Sequence, residues 1–120
     1  MKEHIVRLAV DFLVNDGQLE NFKKVARAMA DVADGEPATL GYEWFFSPDQ
    51  QECRLLETYV DSAAVLAHFQ GRCVAEFVPQ IVQFSKVARF EIYGDPGEQV
   101  AQMVGGLGAK IFSYWAGMNR

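Results

Sequence analysis

Apolar residues recur along this chain in two rhythms, and each change of rhythm marks an element. Over residues 5–14 the parity Val6, Leu8, Val10, Phe12 is apolar, while Ile5, Ala9 and Leu13 share the other parity with Arg7 and Asp11. That alternation predicts a strand with its first face in a core. Asn15-Asp16-Gly17 ends it with turn chemistry, and Asp16 or Gly17 can start a helix. From there Leu19, Phe22, Val25, Ala26, Met29, Val32 and Ala33 follow a helical period, with Glu20, Lys23, Lys24, Arg27 and Asp31 outside. Asp34-Gly35-Glu36-Pro37 stops this helix, Gly35 being expected as a left-handed cap.

Residues 40–46 and 52–60 then read as an antiparallel hairpin, joined by a type I turn at Ser47-Pro48-Asp49-Gln50. Asp61 or Ser62 caps a second helix carrying Val65, Leu66, Phe69, Cys73 and Phe77. Gly71 inside it costs about 1 kcal/mol relative to Ala, which implies close packing or a kink there. Pro79 ends the helix or begins a short irregular piece. Residues 83–93 form a fourth strand, with Phe84, Ala88, Phe90 and Ile92 on one face and Ser85, Val87, Arg89, Glu91 and Tyr93 on the other. Asp95-Pro96-Gly97-Glu98 opens a short helix to about Val104, with Asp95 as its cap. The apolar tail after Gly108 is expected to dock, extended, on its own subunit or a partner.

The order strand, helix, strand, strand, helix, strand predicts an α+β fold, a ferredoxin-like βαββαβ subunit with a C-terminal short helix and tail, as one domain over residues 1–120. Neither parity of the hairpin is clearly polar. Helices cover one face of such a sheet, so a second copy is expected to cover the other, giving a homodimer. The net charge of −5 and a pI near 4.9 come with no basic stripe, which argues against nucleic acid. No run approaches the ~18 apolar residues of a membrane span, and the start is too short in apolar residues for a signal peptide. Cys53 and Cys73 fall inside predicted elements, so two reduced thiols in a cytoplasmic protein are expected ahead of a disulfide.

The run Gly41-Tyr-Glu-Trp-Phe-Phe, the segment Leu56-Glu57-Thr-Tyr59, the helix residues Ala67-His68-Phe69 and the ending Ile92-Tyr93-Gly94-Asp95-Pro96 resemble the antibiotic biosynthesis monooxygenase-like family, over about residues 4–118. The resemblance implies a dimeric α/β barrel, with an apolar pocket between helices and sheet in each subunit. It further implies oxidation of phenols or quinols by molecular oxygen, with neither flavin nor metal. An electron-rich phenolate can itself reduce oxygen, so such a protein has to bind, deprotonate and desolvate it.

His68 is the candidate catalytic residue: it lies at the edge of the second helix's apolar face, and a neutral imidazole there can take a phenolic proton or hold a carbonyl oxygen. The other reading is a packed structural histidine. Trp44 shares parity with Tyr42 and Phe46; that face lines the pocket if it looks toward the helices, and the dimer core otherwise. Trp44, Tyr59 and Phe69 are the candidate substrate-binding walls. Glu57 is either a base or a structural group, held in a cross-strand hydrogen bond or in a salt bridge with a residue such as Arg7 or Arg89. His4, His68 and the two cysteines show no zinc spacing, so no metal site is expected. Gly105-Gly106-Leu107-Gly108 follows a helix, which excludes a dinucleotide loop. Haem-degrading relatives use an Asn, Trp and His set, of which only His68 has a counterpart here. The expected function is a cofactor-free monooxygenase acting on a small aromatic phenol or quinol. The alternative is a non-catalytic dimeric barrel that binds a small apolar metabolite or a protein partner.

Overall fold

Strand β1 (Val6–Val14) lies at the centre of a five-stranded sheet of order β2-β3-β1-β4-β5 in a computed structural model that describes residues 4–120. The opening residues 1–3, part of the segment on which the signal-peptide reading rests, lie outside the described residues. The hairpin β2 (Thr39–Phe46) and β3 (Glu52–Tyr59) runs antiparallel to β1 on one side, and β4 (Ser85–Tyr93) runs antiparallel on the other. This is the ferredoxin-like arrangement. A short β5 (Lys110–Phe112) extends the sheet parallel to β4.

Register divides the sheet cleanly. Val6, Leu8, Val10 and Phe12 face Tyr59, Glu57, Leu55 and Cys53 across the ladder, and helices cover this inner face. Helix α1 (Leu19–Asp34) presents Phe22, Val25, Ala26 and Met29 to it. Phe22 is fully buried, and that burial alone is worth about 2–3 kcal/mol. The outer face carries Arg7, Ala9, Asp11 and Leu13, paired with Thr58, Leu56, Arg54 and Glu52.

Two bulges alter the strict alternation. Thr39 pairs with Tyr59 but Gly41 with Thr58, so Leu40 is the extra residue in β2. Tyr42, Trp44 and Phe46 thereby look toward the helices. In β4 the partner of Asp11 is Arg89 and that of Phe12 is Val87, which skips Ala88. Val87 and Ser85 therefore turn inward and Lys86 outward, the reverse of what simple alternation predicts for them. Phe84 belongs to a helix, not to this strand.

The second helix is broken where one was expected to continue. Helix α2 (Ser62–Phe69) is capped by Asp61, whose side chain accepts from the Ala64 N–H at 2.9 Å. A π-helical turn (Cys73–Phe77) follows, and then α3 (Val78–Phe84). Pro79 stands in the first turn of α3, where its missing N–H costs nothing, so it starts a helix instead of ending one. Gly71 answers to close packing: a Cβ there would lie 3.2 Å from the Ala67 carbonyl and 3.7 Å from Glu36 Oε2. Gly35 closes α1 in right-handed geometry (φ −81°), not as a left-handed cap. Helix α4 (Glu98–Gly105) starts from Gly97, whose N–H is held by Asp95 Oδ1 at 2.9 Å, so Asp95 forms the preceding turn and not the cap itself. Beyond β5 the tail is exposed, with Trp115 93% accessible. Cys53 and Cys73 are both buried and unlinked. Among the described residues no helix is long and apolar enough to cross a membrane.

Candidate functional site

Between the inner face and the helices α2 and α3 lies a cavity of about 280 Å³. Leu8, Val10 and Leu55 form its floor; Phe69, Val78 and Ile81 form its roof; Leu107, from the loop after α4, sits at its edge. Among the described residues its polar lining groups are Tyr42, Glu57 and His68, which converge at one end. An apolar hollow with a few convergent polar groups is the usual form of a small-molecule site.

The polar end is assembled from four segments. His68 comes from the last turn of α2 and is 3% exposed. Its Nδ1 lies 2.8 Å from Oε1 of Glu36, in the loop after α1. Thr39 donates its hydroxyl to the same oxygen at 2.8 Å, which fixes the carboxylate. On the other side His68 Nε2 is 3.7 Å from Glu57 Oε1, beyond hydrogen-bond reach. Glu57 Oε1 instead accepts from the Tyr59 hydroxyl at 2.5 Å. The rings of Tyr42 and Tyr59 flank the imidazole, each with its centroid 5.4 Å away.

This geometry sets the tautomer. A carboxylate cannot donate, so Nδ1 carries the proton and a neutral His68 keeps its Nε2 lone pair free at the cavity. Burial pushes the Glu57 carboxyl above its ordinary range; His68 and the Tyr59 hydrogen bond pull it back in part, and Glu36 adds to the rise. Burial, followed by the nearby Glu57, drives Tyr42 and Tyr59 far above the usual phenol range, so both remain neutral donors. The Cys73 thiol, beside Tyr42, is pushed up to about 11 by burial and then by Glu36.

Of the residues singled out from sequence, Glu57, His68 and Phe69 line the cavity. Tyr59 stands one layer back, fully buried and bonded to Glu57. Trp44 packs in the aromatic core, 5.6 Å from Phe12 and 5.9 Å from Phe22 between ring centroids. Its indole nitrogen is buried with no hydrogen-bond partner among the described residues. Glu57 faces inward, away from Arg7 and Arg89 on the outer face, so neither forms the salt bridge considered for it. Glu36 went unrecognised, because its sequence context is that of a helix stop. Tyr42 was legible only as a parity mate of Trp44.

The family model for antibiotic biosynthesis monooxygenases matches residues 5–80, more than half of the chain. Among solved structures, MupZ from Pseudomonas fluorescens is similar at 19% identity and a TM-score of 0.85, covering 98% of this chain and 95% of that one. A mutant of SnoaB, a cofactor-independent oxygenase from Streptomyces nogalater, is similar at 12% identity and a TM-score of 0.68, covering 79% and 96%. Rv0793 from Mycobacterium tuberculosis is similar at 19% identity and a TM-score of 0.69, covering 78% and 97%. No curated protein sequence matches. By the extent of the family match, the chain belongs to the antibiotic biosynthesis monooxygenase family.

Proposed function

We propose that this protein is a cofactor-independent monooxygenase that oxidises a small aromatic phenol or quinol with molecular oxygen. The observation that carries this reading is the uncommitted Nε2 of His68, held by Glu36 from behind and opening on an apolar cavity. A phenol seated there gives its proton to Nε2, and the Glu36 carboxylate stabilises the imidazolium that results. The apolar walls withhold water from the phenolate and leave its electrons available to oxygen. Carbon–oxygen bond formation gives a ring peroxide, to which His68 returns the proton. Loss of water then leaves a quinone, with one atom of dioxygen in the new carbonyl and the other in the water. Burial favours the protonated form of Glu57, and in that form the carboxyl donates a hydrogen bond to the substrate oxygen. Phe69 forms part of the wall, while Trp44 and Tyr59 support the site from behind it.

In the same reading the protein works as a homodimer, in a cytoplasm that keeps both thiols reduced, and as one domain over residues 1–120. The exposed Leu13, Phe45 and Leu56 of the outer face support the pairing. An open hollow, in place of one filled by Phe and Met side chains, favours ligand chemistry over a purely architectural barrel. Oxygen uptake with a panel of naphthols and hydroquinones tests the proposal: it exceeds background in the wild type and falls in His68→Ala. An unchanged rate in that variant removes the proton-acceptor role.

A further inference from the structure

We propose that Glu36, His68 and Cys73 form a site for a thiophilic divalent metal of the zinc class, and that filling it withdraws the proton-accepting nitrogen from the cavity. One ligand atom from each of the three residues lies within 4.8 Å of the others. Tetrahedral zinc, with bonds of about 2.0–2.3 Å, holds its ligands roughly 3.3–3.8 Å apart, so modest side-chain adjustment suffices. The donors are a thiolate, an imidazole and a carboxylate, a set that zinc accepts and that leaves a fourth position open. Carboxylate and thiolate together offset the charge of a divalent ion, so the filled cluster is neutral where His68 and Cys73 are buried.

The backbone is shaped for this approach. Gly71 lets the chain after α2 pass close to Glu36, as the 3.7 Å approach of its Oε2 to a notional Cβ shows. The π-helical turn begins at Cys73 itself, and such turns are frequent at functional sites. A route from solvent exists at Glu36, whose side chain is a quarter exposed. The grouping has no signature in sequence, because Glu36 lies 32 residues from His68.

Metal binding releases one proton and moves another. The released proton is that of the Cys73 thiol, now donated to the Met29 carbonyl at 3.2 Å; the Nδ1 hydrogen, now shared with Glu36, gives way to the metal and passes to Nε2. The cavity side of His68 thereby changes from acceptor to donor. This consequence rests on the proposed role of His68; the metal site itself does not.

The full chain, freed of metal with a chelator, is titrated with Co²⁺. The expected result is a thiolate-to-cobalt charge-transfer band in the near ultraviolet that saturates at one ion per chain. The band is retained in Cys53→Ser, lost in Cys73→Ser, and in Glu36→Gln requires roughly tenfold more Co²⁺ or beyond, with circular dichroism establishing that each variant folds. No band in the wild type, or one that survives Cys73→Ser, overturns the site. Zn²⁺ is expected to suppress oxygen uptake in step with its displacement of Co²⁺. Undiminished uptake at full occupancy overturns the switch. A metal-free protein that consumes no oxygen counts against the proposed oxidation and leaves the spectroscopic test of the site intact.

Discussion

Asp11 and Glu57 sit on opposite faces of the same sheet, 4% and 5% exposed, yet they are satisfied in different ways. On the outer face Arg54 grips both oxygens of Asp11, with Nε at 2.6 Å and Nη2 at 3.0 Å, and Arg89 stands 3.9 Å away. Both guanidinium groups keep about half their surface in water, so this charge is neutralised at small desolvation cost. On the inner face no arginine reaches Glu57. It meets a phenol and an imidazole, and burial favours its protonated form. The contrast separates a carboxylate used to hold strands together from a carboxyl available to a ligand. Where the neutralising group is a proton, the site can exchange it.

The largest expected effect breaks the outer face. Leu56→Glu puts an added charge, opposed by its own copy, into the surface proposed to pair. Like charges meeting across an interface cost several kcal/mol, so the dimer constant weakens by about 10²-fold or more, which sedimentation equilibrium measures. Glu36→Gln keeps an acceptor for the Nδ1–H of His68 but removes the negative charge behind it. The imidazolium that forms on His68 is then less well stabilised, and oxygen uptake falls by roughly 10-fold to 100-fold with fold and melting behaviour retained.

Asp11→Asn loses the charge-assisted pair with Arg54, and urea unfolding is expected to register about 1–2 kcal/mol of destabilisation with oxygen uptake per folded molecule unaltered. Glu57→Gln is the sharpest partner to that variant and the smallest in size. A neutral carboxyl is exchanged for a neutral amide, so below pH 4.5, where the unfolded carboxyl is protonated too, stability stays within about 1 kcal/mol of the wild type. The pH trend has a definite sign. A carboxyl raised in the folded state favours folding fully only below its unfolded value of 4.5, and loses that contribution as pH climbs through the folded value. The Gln variant therefore gains on the wild type as pH rises from about 4.5, which unfolding curves in a pH series can follow. A gap that widens in the opposite direction would show that Glu57 is held as a carboxylate.

The two faces also differ in how far sequence reveals them. Strand alternation in Val6, Leu8, Val10 and Phe12 and the helical period from Leu19 are local signals, and they suffice for the fold. Bulges are not local in this sense. The extra Ala88 reverses the orientation of Val87, and only the register with β1 makes Val87 a wall of the cavity. The position of His68 on α2 was legible, but its chemistry depends on Glu36, 32 residues earlier and in an irregular loop. No periodicity connects the two; the close approach allowed by Gly71 does. Pro79 shows the same limit in a simpler form, since its covalent constraint suits the start of a helix as well as its end.

The most direct measurement of the central claim is the absorption spectrum of a nitrophenol bound in the cavity, in buffer on the acid side of its solution ionisation. Proton transfer to His68 Nε2 predicts the phenolate spectrum when bound to the wild type and the phenol spectrum when bound to His68→Ala. The same spectrum from both proteins would contradict it.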